Sequence, residues 1–159
     1  MPKGPRIVLD NVLYHIMTRG NQKQKVFIEE SDFGEYLDRV RRYKRKYKFR
    51  LYGFCLMPNH IHLIGAVEDK ENLAKFMHGI NRSYTSYFNE KYHKVGHLWQ
   101  GRFNSKIITM DPYAIDCMNY VELNPVRAEM VRMPSEYRWS SYRERNLGGN
   151  NDLLDSLEL

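Results

Sequence analysis

The 159-residue sequence predicts an α+β fold: a ferredoxin-like split βαβ sandwich, an antiparallel sheet with helices on one face, plus a tyrosine-bearing helix towards the C-terminus. Three observations predict it. Apolar runs of strand length recur at residues 11–18, 49–56, 60–67 and 103–109. Long segments with helical apolar spacing follow the first and the third of these runs. Met57-Pro58-Asn59 then joins the second run to the third as a tight turn.

Taken in order, NVLYHIMT (11–18) alternates well enough for a strand, and Arg19-Gly20-Asn21 closes it with turn chemistry. Ser31 is placed to N-cap a helix whose apolar stripe is Phe33, Tyr36, Leu37, Val40, Tyr43 and Tyr47. Phe49 to Leu56 and His60 to Val67 are the second and third strands. Leu73, Phe76, Met77, Ile80, Tyr84, Tyr87 and Phe88 set a second helix over 71–90. Phe103 to Thr109 is the fourth strand. Asp111 as N-cap and Pro112 at the first helical position open a third helix, which stops near Asn124 because Pro125 disfavours helical backbone in the residue before it. The leucines of DLLDSLEL (152–159) suggest a short docking helix. No linker breaks the chain, so one domain is expected over 1–159, with its core at about 7–142 and a tail at 143–159.

Composition excludes some classes of function. No apolar run approaches the ~20 residues of a membrane helix, and MPKGPRIVLD has no signal-peptide apolar region. Cys55 and Cys117 sit in apolar segments and give no disulfide framework, so a cytoplasmic setting is expected. The net charge is +6, but RRYKRKYKFR (41–50) holds seven of the 25 basic residues and no acid. The remaining 18 face 19 acids, so the whole positive excess lies in one decapeptide. A patch this concentrated is either the footprint of a polyanion binder or a solvated helix face. Arg41, Arg42, Lys44 and Arg45 fall on or beside the wet face of the first helix.

LMPNHIHLIGAV (56–67) is an apolar run interrupted by His60 and His62. Residues two apart on a strand share a face, so the two imidazoles project together. They can hold one metal ion, or they can be two hydrogen-bonded side chains. A mononuclear site needs a third ligand, and neither cysteine lies near another ligand type. In DCMNYVELNPVRA (116–128), Tyr120 and Asn124 stand one helical turn apart. An Asn124 amide oxygen with two neutral imidazoles leaves positions open for phosphate oxygens and water, a set suited to Mg²⁺ or Mn²⁺. Tyr120 then sits a turn away, its hydroxyl directed at whatever the ion holds. The bland alternatives are that Tyr120 is one of 12 tyrosines, most of them packing, and that Asn124 simply ends a helix.

MPNHIH followed by YVELNPVRA, together with YHIMTRGNQKQKVF, GHLWQGRF and WSSY, resembles the HUH superfamily of single-tyrosine transposases. More narrowly it is similar to the insertion-sequence-200-like group and its REP-associated tyrosine transposases, over roughly residues 7 to 142. The resemblance implies a divalent ion on the histidine pair, a tyrosine nucleophile on a following helix and a polar residue one turn later completing the metal site. Those roles fall on His60, His62, Tyr120 and Asn124. It also implies cleavage and rejoining of single-stranded DNA with hairpin or palindromic ends through a covalent 5′-phosphotyrosine, by a monomer or a homodimer. Tyr113, two turns before Tyr120 on a similar face, is expected to pack instead.

HKVGHLWQGRF (93–103) offers Trp99 for stacking on unpaired bases. Arg102, the basic helix residues and Arg127 are candidates for backbone phosphates. His15 and His78 have no assigned partner. Two other readings stay open: a non-catalytic nucleic-acid-binding module of the same architecture, and a domesticated relative that binds or nicks chromosomal repeats.

Overall fold

The computed structural model describes residues 12–108, 113–148 and 152–156. Strand β1 (Leu13–Arg19) leads through a 3-10 turn to helix α1 (Glu30–Tyr47). Strands β2 (Phe49–Met57) and β3 (His60–Val67) follow, then helix α2 (Glu71–Tyr92) and strand β4 (Asn104–Ile108). Helix α3 (Tyr113–Glu122), the single turn α4 (Asn124–Arg127) and helix α5 (Tyr142–Leu147) complete the order. The strands form one antiparallel sheet in the order β2-β3-β1-β4. This is the split βαβ arrangement that the sequence predicts. Among the described residues no helix is long and apolar enough to cross a membrane.

Strand alternation assigns each face its own core. Ile61, Leu63 and Val67 of β3 join Ile16, Tyr36, Val40, Phe76, Ile80 and Tyr84 under α1 and α2. Ile64 and Ala66 point the other way and meet Ala114, Met118 and Val121 of α3. β2 serves both cores by changing phase. Phe49 and Leu51 face α1 and α2, and so do Phe54 and Leu56, because a bulge between Leu51 and Gly53 inserts the residue that swaps the alternation. The second long helical face therefore lies on one side and α3 covers the other, which sets α3 against the side of the sheet that carries His60 and His62.

Three details depart from the sequence reading. Helix α1 starts at Glu30 with Glu29, not Ser31, at the N-cap. Asp32 reaches back to accept the Ile28 and Glu29 N–H groups, each at 2.9 Å, so the acid satisfies donors that a serine was expected to meet. Asp32 is fully buried and also accepts from Tyr87 and Lys91, each at 2.8 Å, and from Tyr92, pinning the start of α1 to the end of α2. Burial works against its charge, and the donors overcome it, holding the carboxyl well below the usual range. Asn124 opens α4 rather than ending α3, with Pro125 accommodated inside that first turn, where the missing N–H costs nothing. Asp111 and Pro112, the expected start of α3, lie outside the described residues.

Residues 152–156 are not helical. The Asp155 N–H donates to the Leu51 carbonyl at 2.7 Å, and its carboxylate accepts the Leu51 N–H at 2.8 Å. Leu153 is buried in the α1/α2 core. The free edge of β2 offers unpaired backbone groups, and this segment satisfies them, which a helix would not do.

Candidate active site

Register puts three histidines on the α3 side of the sheet. His62 lies opposite Met17 of β1, His60 opposite Arg19, and His15 opposite Ile64. His60 and His62 sit edge to face with ring centroids 5.0 Å apart. His15 Nε2 lies 2.8 Å from His62 Nδ1, the two rings 5.0 Å apart and nearly stacked. His60 Nδ1 lies 2.7 Å from the Asn59 side-chain oxygen. An amide oxygen only accepts, so His60 carries its proton on Nδ1 and presents a lone pair at Nε2. In His62 the Nδ1 contact leaves Nε2 free in the same sense when His62 donates to His15.

All three rings favour the neutral form. Burial, then the Lys106 charge, lowers His15. Burial, then Arg19, lowers His60. His62, 6% exposed, is pushed down to about 3 by burial, reinforced by His15, His60, Arg127 and Arg19. Neutral imidazoles with one ring nitrogen tied and the other free are what metal ligation asks of histidine. His15 had no role in the sequence reading. The signal it lacked was the β1–β3 register, which alone shows that positions 15 and 62 share a face.

α3 buries Ala114, Met118 and Val121 and turns Tyr120 outward at 58% exposure. Its end is fixed by Glu122, a buried carboxylate that takes two Arg145 nitrogens at 2.8 and 2.9 Å and the Ser141 hydroxyl. Arg127 stacks on the Tyr120 ring with its guanidinium carbon 3.9 Å from the centroid, and donates to the Tyr120 carbonyl at 2.7 Å. The same arginine is one of the charges felt by His62, so it links the phenol's surroundings to the histidines. The Asn124 amide nitrogen donates to the Val121 carbonyl at 3.0 Å, which leaves its oxygen without a partner among the described residues. No hydrogen bond joins Asn124 to either imidazole. Tyr113, expected to pack, is 62% exposed at the first position of α3. Among the described residues no group of three or more His, Cys, Asp or Glu is placed to hold a metal ion.

The remaining sequence candidates divide in two. On α1, Arg41 pairs with Asp38 at 2.8 Å and Asp152 at 3.1 Å, Lys44 with Asp155 at 2.7 Å, and Arg45 with Asp152 at 3.8 Å. The tail that caps β2 thus lays its acids on the basic patch, and Arg42 remains exposed beside it. In the loop, Arg102 is exposed, whereas Trp99, expected to stack on bases, is 9% exposed and packs in the α1/α2 core against Tyr36 and Tyr84. Trp99 bridges Gly20, and the Gln100 N–H donates to the Arg19 carbonyl at 2.8 Å.

Residues 8–124 match the family described as IS200-like transposases. The chain belongs to that family. A Haemophilus influenzae protein named as a REP-associated tyrosine transposase is 28% identical over 126 residues, covering 67% of this chain and 71% of its own. The fold agrees with the solved structure of a REP-associated tyrosine transposase bound to a REP hairpin, with a TM-score of 0.77, 17% identity, and 98% and 95% of the two chains covered. A Deinococcus radiodurans protein described as a transposase superposes with a TM-score of 0.51 at 18% identity, over 77% of this chain and 96% of that one. The activity that comes with IS200-like membership is transposition. The family match spans His60, His62 and Tyr120 and ends at Asn124, so Arg127 and the acidic tail lie beyond it.

Proposed function

We propose that this IS200-like transposase cleaves and rejoins single-stranded DNA at hairpin-forming ends, with Tyr120 as nucleophile and Mg²⁺ or Mn²⁺ held by His60, His62 and Asn124. The observation that carries the reading is the histidine pair: a buried His62 and a half-buried His60, both favouring the neutral form and each steered by a separate neighbour, on the sheet face against which α3 packs. The donor chemistry fits a small divalent ion. His60 and His62 each offer one free ring nitrogen, and Asn124 offers an unpartnered amide oxygen. With three neutral ligands the charge would be met by substrate phosphate, so the site is completed by DNA.

Held by His60, His62 and Asn124, such an ion would supply Lewis-acid polarisation of the scissile phosphodiester. A phenol with a pKa near 10 is ionised in only about one molecule in a thousand at pH 7, so this assistance matters. The Tyr120 oxygen attacks phosphorus and passes its proton to solvent at its exposed face. The bond from phosphorus to the 3′-oxygen breaks, and that oxygen leaves as a 3′-hydroxyl. A 5′-phosphotyrosine results. Attack by another strand's 3′-hydroxyl expels the phenol and rejoins the DNA with no external energy source. Arg127 contributes by holding the Tyr120 ring between its guanidinium and solvent.

Hairpin DNA as the partner is supported by the relative solved with a REP hairpin. The test is incubation with hairpin-bearing single-stranded oligonucleotides and Mn²⁺. A covalent protein–DNA adduct is expected in wild type and none in His62→Ala. An equal adduct yield in excess EDTA contradicts the metal role.

A further inference from the structure

Register places a cation directly beside the histidine pair. Arg19 is the last residue of β1 and pairs with His60 of β3, so its side chain leaves the sheet on the same face as His60 and His62. Its backbone is fixed on both sides. The Arg19 carbonyl accepts the Gln100 N–H, and the following Gly20 N–H donates to the Asn59 carbonyl, both at 2.8 Å. Only glycine fits at position 20, because a Cβ there would run into the Gln24 carbonyl oxygen. At the far end of the strands Leu13, Ala66 and Ile108 are buried in the cluster with α3, whereas Arg19 at the near end stays half-buried.

The fixed charges that chiefly act on the three histidines are of one sign. Arg19 acts on both His60 and His62, Arg127 on His62, and Lys106 on His15. Glu122, the buried acid of α3, is already taken by Arg145 and Ser141. Arg127 is engaged as well, stacked on Tyr120 and bonded to its carbonyl. Elsewhere in the fold the less exposed cations meet acids: Arg39, Lys44, Lys91 and Arg145 each do so within 3 Å. The Arg19 guanidinium has neither a hydrogen bond nor an ion pair among the described residues. A half-buried cation beside neutral rings, left without a counter-ion, calls for an anion that arrives with the substrate.

We infer that Arg19 is a further catalytic residue, its guanidinium holding a non-bridging oxygen of the scissile phosphate beside the His60–His62 pair. The inference rests on the proposed cleavage at that pair. A planar guanidinium matches phosphate oxygens, and its charge persists at every working pH. Attack by the phenol concentrates negative charge on the non-bridging oxygens, so a cation already held beside them lowers the barrier without moving a proton. The same phosphate supplies the negative charge that three neutral ligands do not offer a divalent ion. Arg19 and the ion would then share one anion instead of repelling each other unscreened.

The test uses the full chain with hairpin oligonucleotides in which single phosphates of the unpaired flank are replaced, one at a time, by uncharged methylphosphonate. Binding is measured in EDTA, where no ion contributes. In wild type one linkage should be sensitive, with affinity falling about tenfold, and it should be the linkage at which Mn²⁺ gives the adduct. In Arg19→Gln the same replacement should cost less than about twofold. Lys106→Gln, which removes the exposed cation paired with His15 on the same face, should keep the full effect. With Mn²⁺ and an unmodified strand, Arg19→Gln should slow adduct formation about 10²–10³-fold, and Arg19→Lys should recover part of the loss. Equal methylphosphonate penalties in wild type and Arg19→Gln, erasure of the effect by Lys106→Gln as well, or an undiminished adduct rate in Arg19→Gln overturns the inference. A wild type that shows the Arg19-dependent linkage but forms no adduct instead counts against the Tyr120 reading and leaves the phosphate contact standing.

Discussion

Replacing His15 by phenylalanine tests the histidine site without touching a proposed ligand. His15 Nε2 lies 2.8 Å from His62 Nδ1, and the ring is stacked beside it, so phenylalanine keeps the packing and removes the hydrogen bond. One neutral hydrogen bond is worth about 0.5–1.5 kcal/mol, or roughly two- to thirteenfold in an equilibrium constant. Loss of tautomer and ring orientation adds to this, and removing a ligand's supporting partner costs roughly 10–100-fold in metal affinity. The expected result is a half-saturating Mn²⁺ concentration for adduct formation raised by at least tenfold, with the maximal yield at saturating Mn²⁺ little changed. His15→Gln, which restores an acceptor, should recover part of the loss. A Mn²⁺ titration of His15→Phe that overlays wild type refutes the view that His15 orients His62.

Two further outcomes are expected. Asp32 has a folded-state pKa held below its unfolded value near 3.9, so its stabilisation is present above that value and fades as pH falls through it. Acid unfolding followed by circular dichroism should therefore steepen below pH 4 in wild type and flatten in Asp32→Asn, while Asp32→Ala, which strands Lys91 and two tyrosine hydroxyls, should cost about 3–5 kcal/mol in denaturant melts. Arg42, exposed and without a partner among the described residues, should lower the salt slope of DNA binding by about one when changed to alanine; a larger loss of slope from Lys44→Ala, whose charge Asp155 already meets at 2.7 Å, would contradict the observed pairing.

Much of the fold is legible in the sequence because local pattern and tertiary demand agree. The apolar run of 60–67 and the apolar stripe of 71–90 place β3 and α2 to within two residues. Disagreements arise where a partner distant along the chain decides the outcome. Asp32 rather than Ser31 organises the start of α1: it caps locally through the Ile28 and Glu29 N–H groups, but its burial is decided by Tyr87, Lys91 and Tyr92 on α2, which local sequence does not show. The leucines of the tail suit a helix, yet Asp155 bonds to the Leu51 N–H and carbonyl at the edge of β2 and residues 152–156 stay non-helical. The basic decapeptide reads as a free patch until Asp152 and Asp155 fold onto it. At the candidate site the His60–His62 pair is visible by period-two spacing alone. His15 and the Arg127–Tyr120 stack are not, because both depend on which strand lies beside which and on how α4 turns back on α3.

The proposed mechanism turns on which phenol takes the phosphate. Tyr113 and Tyr120 are both exposed on α3, at 62% and 58%, so accessibility does not choose between them. Proteolysis and mass spectrometry of the adduct formed with a hairpin oligonucleotide and Mn²⁺ should find the nucleotide on the peptide carrying Tyr120, and on none in Tyr120→Phe. A nucleotide mapped to Tyr113, or an undiminished adduct from Tyr120→Phe, contradicts the account.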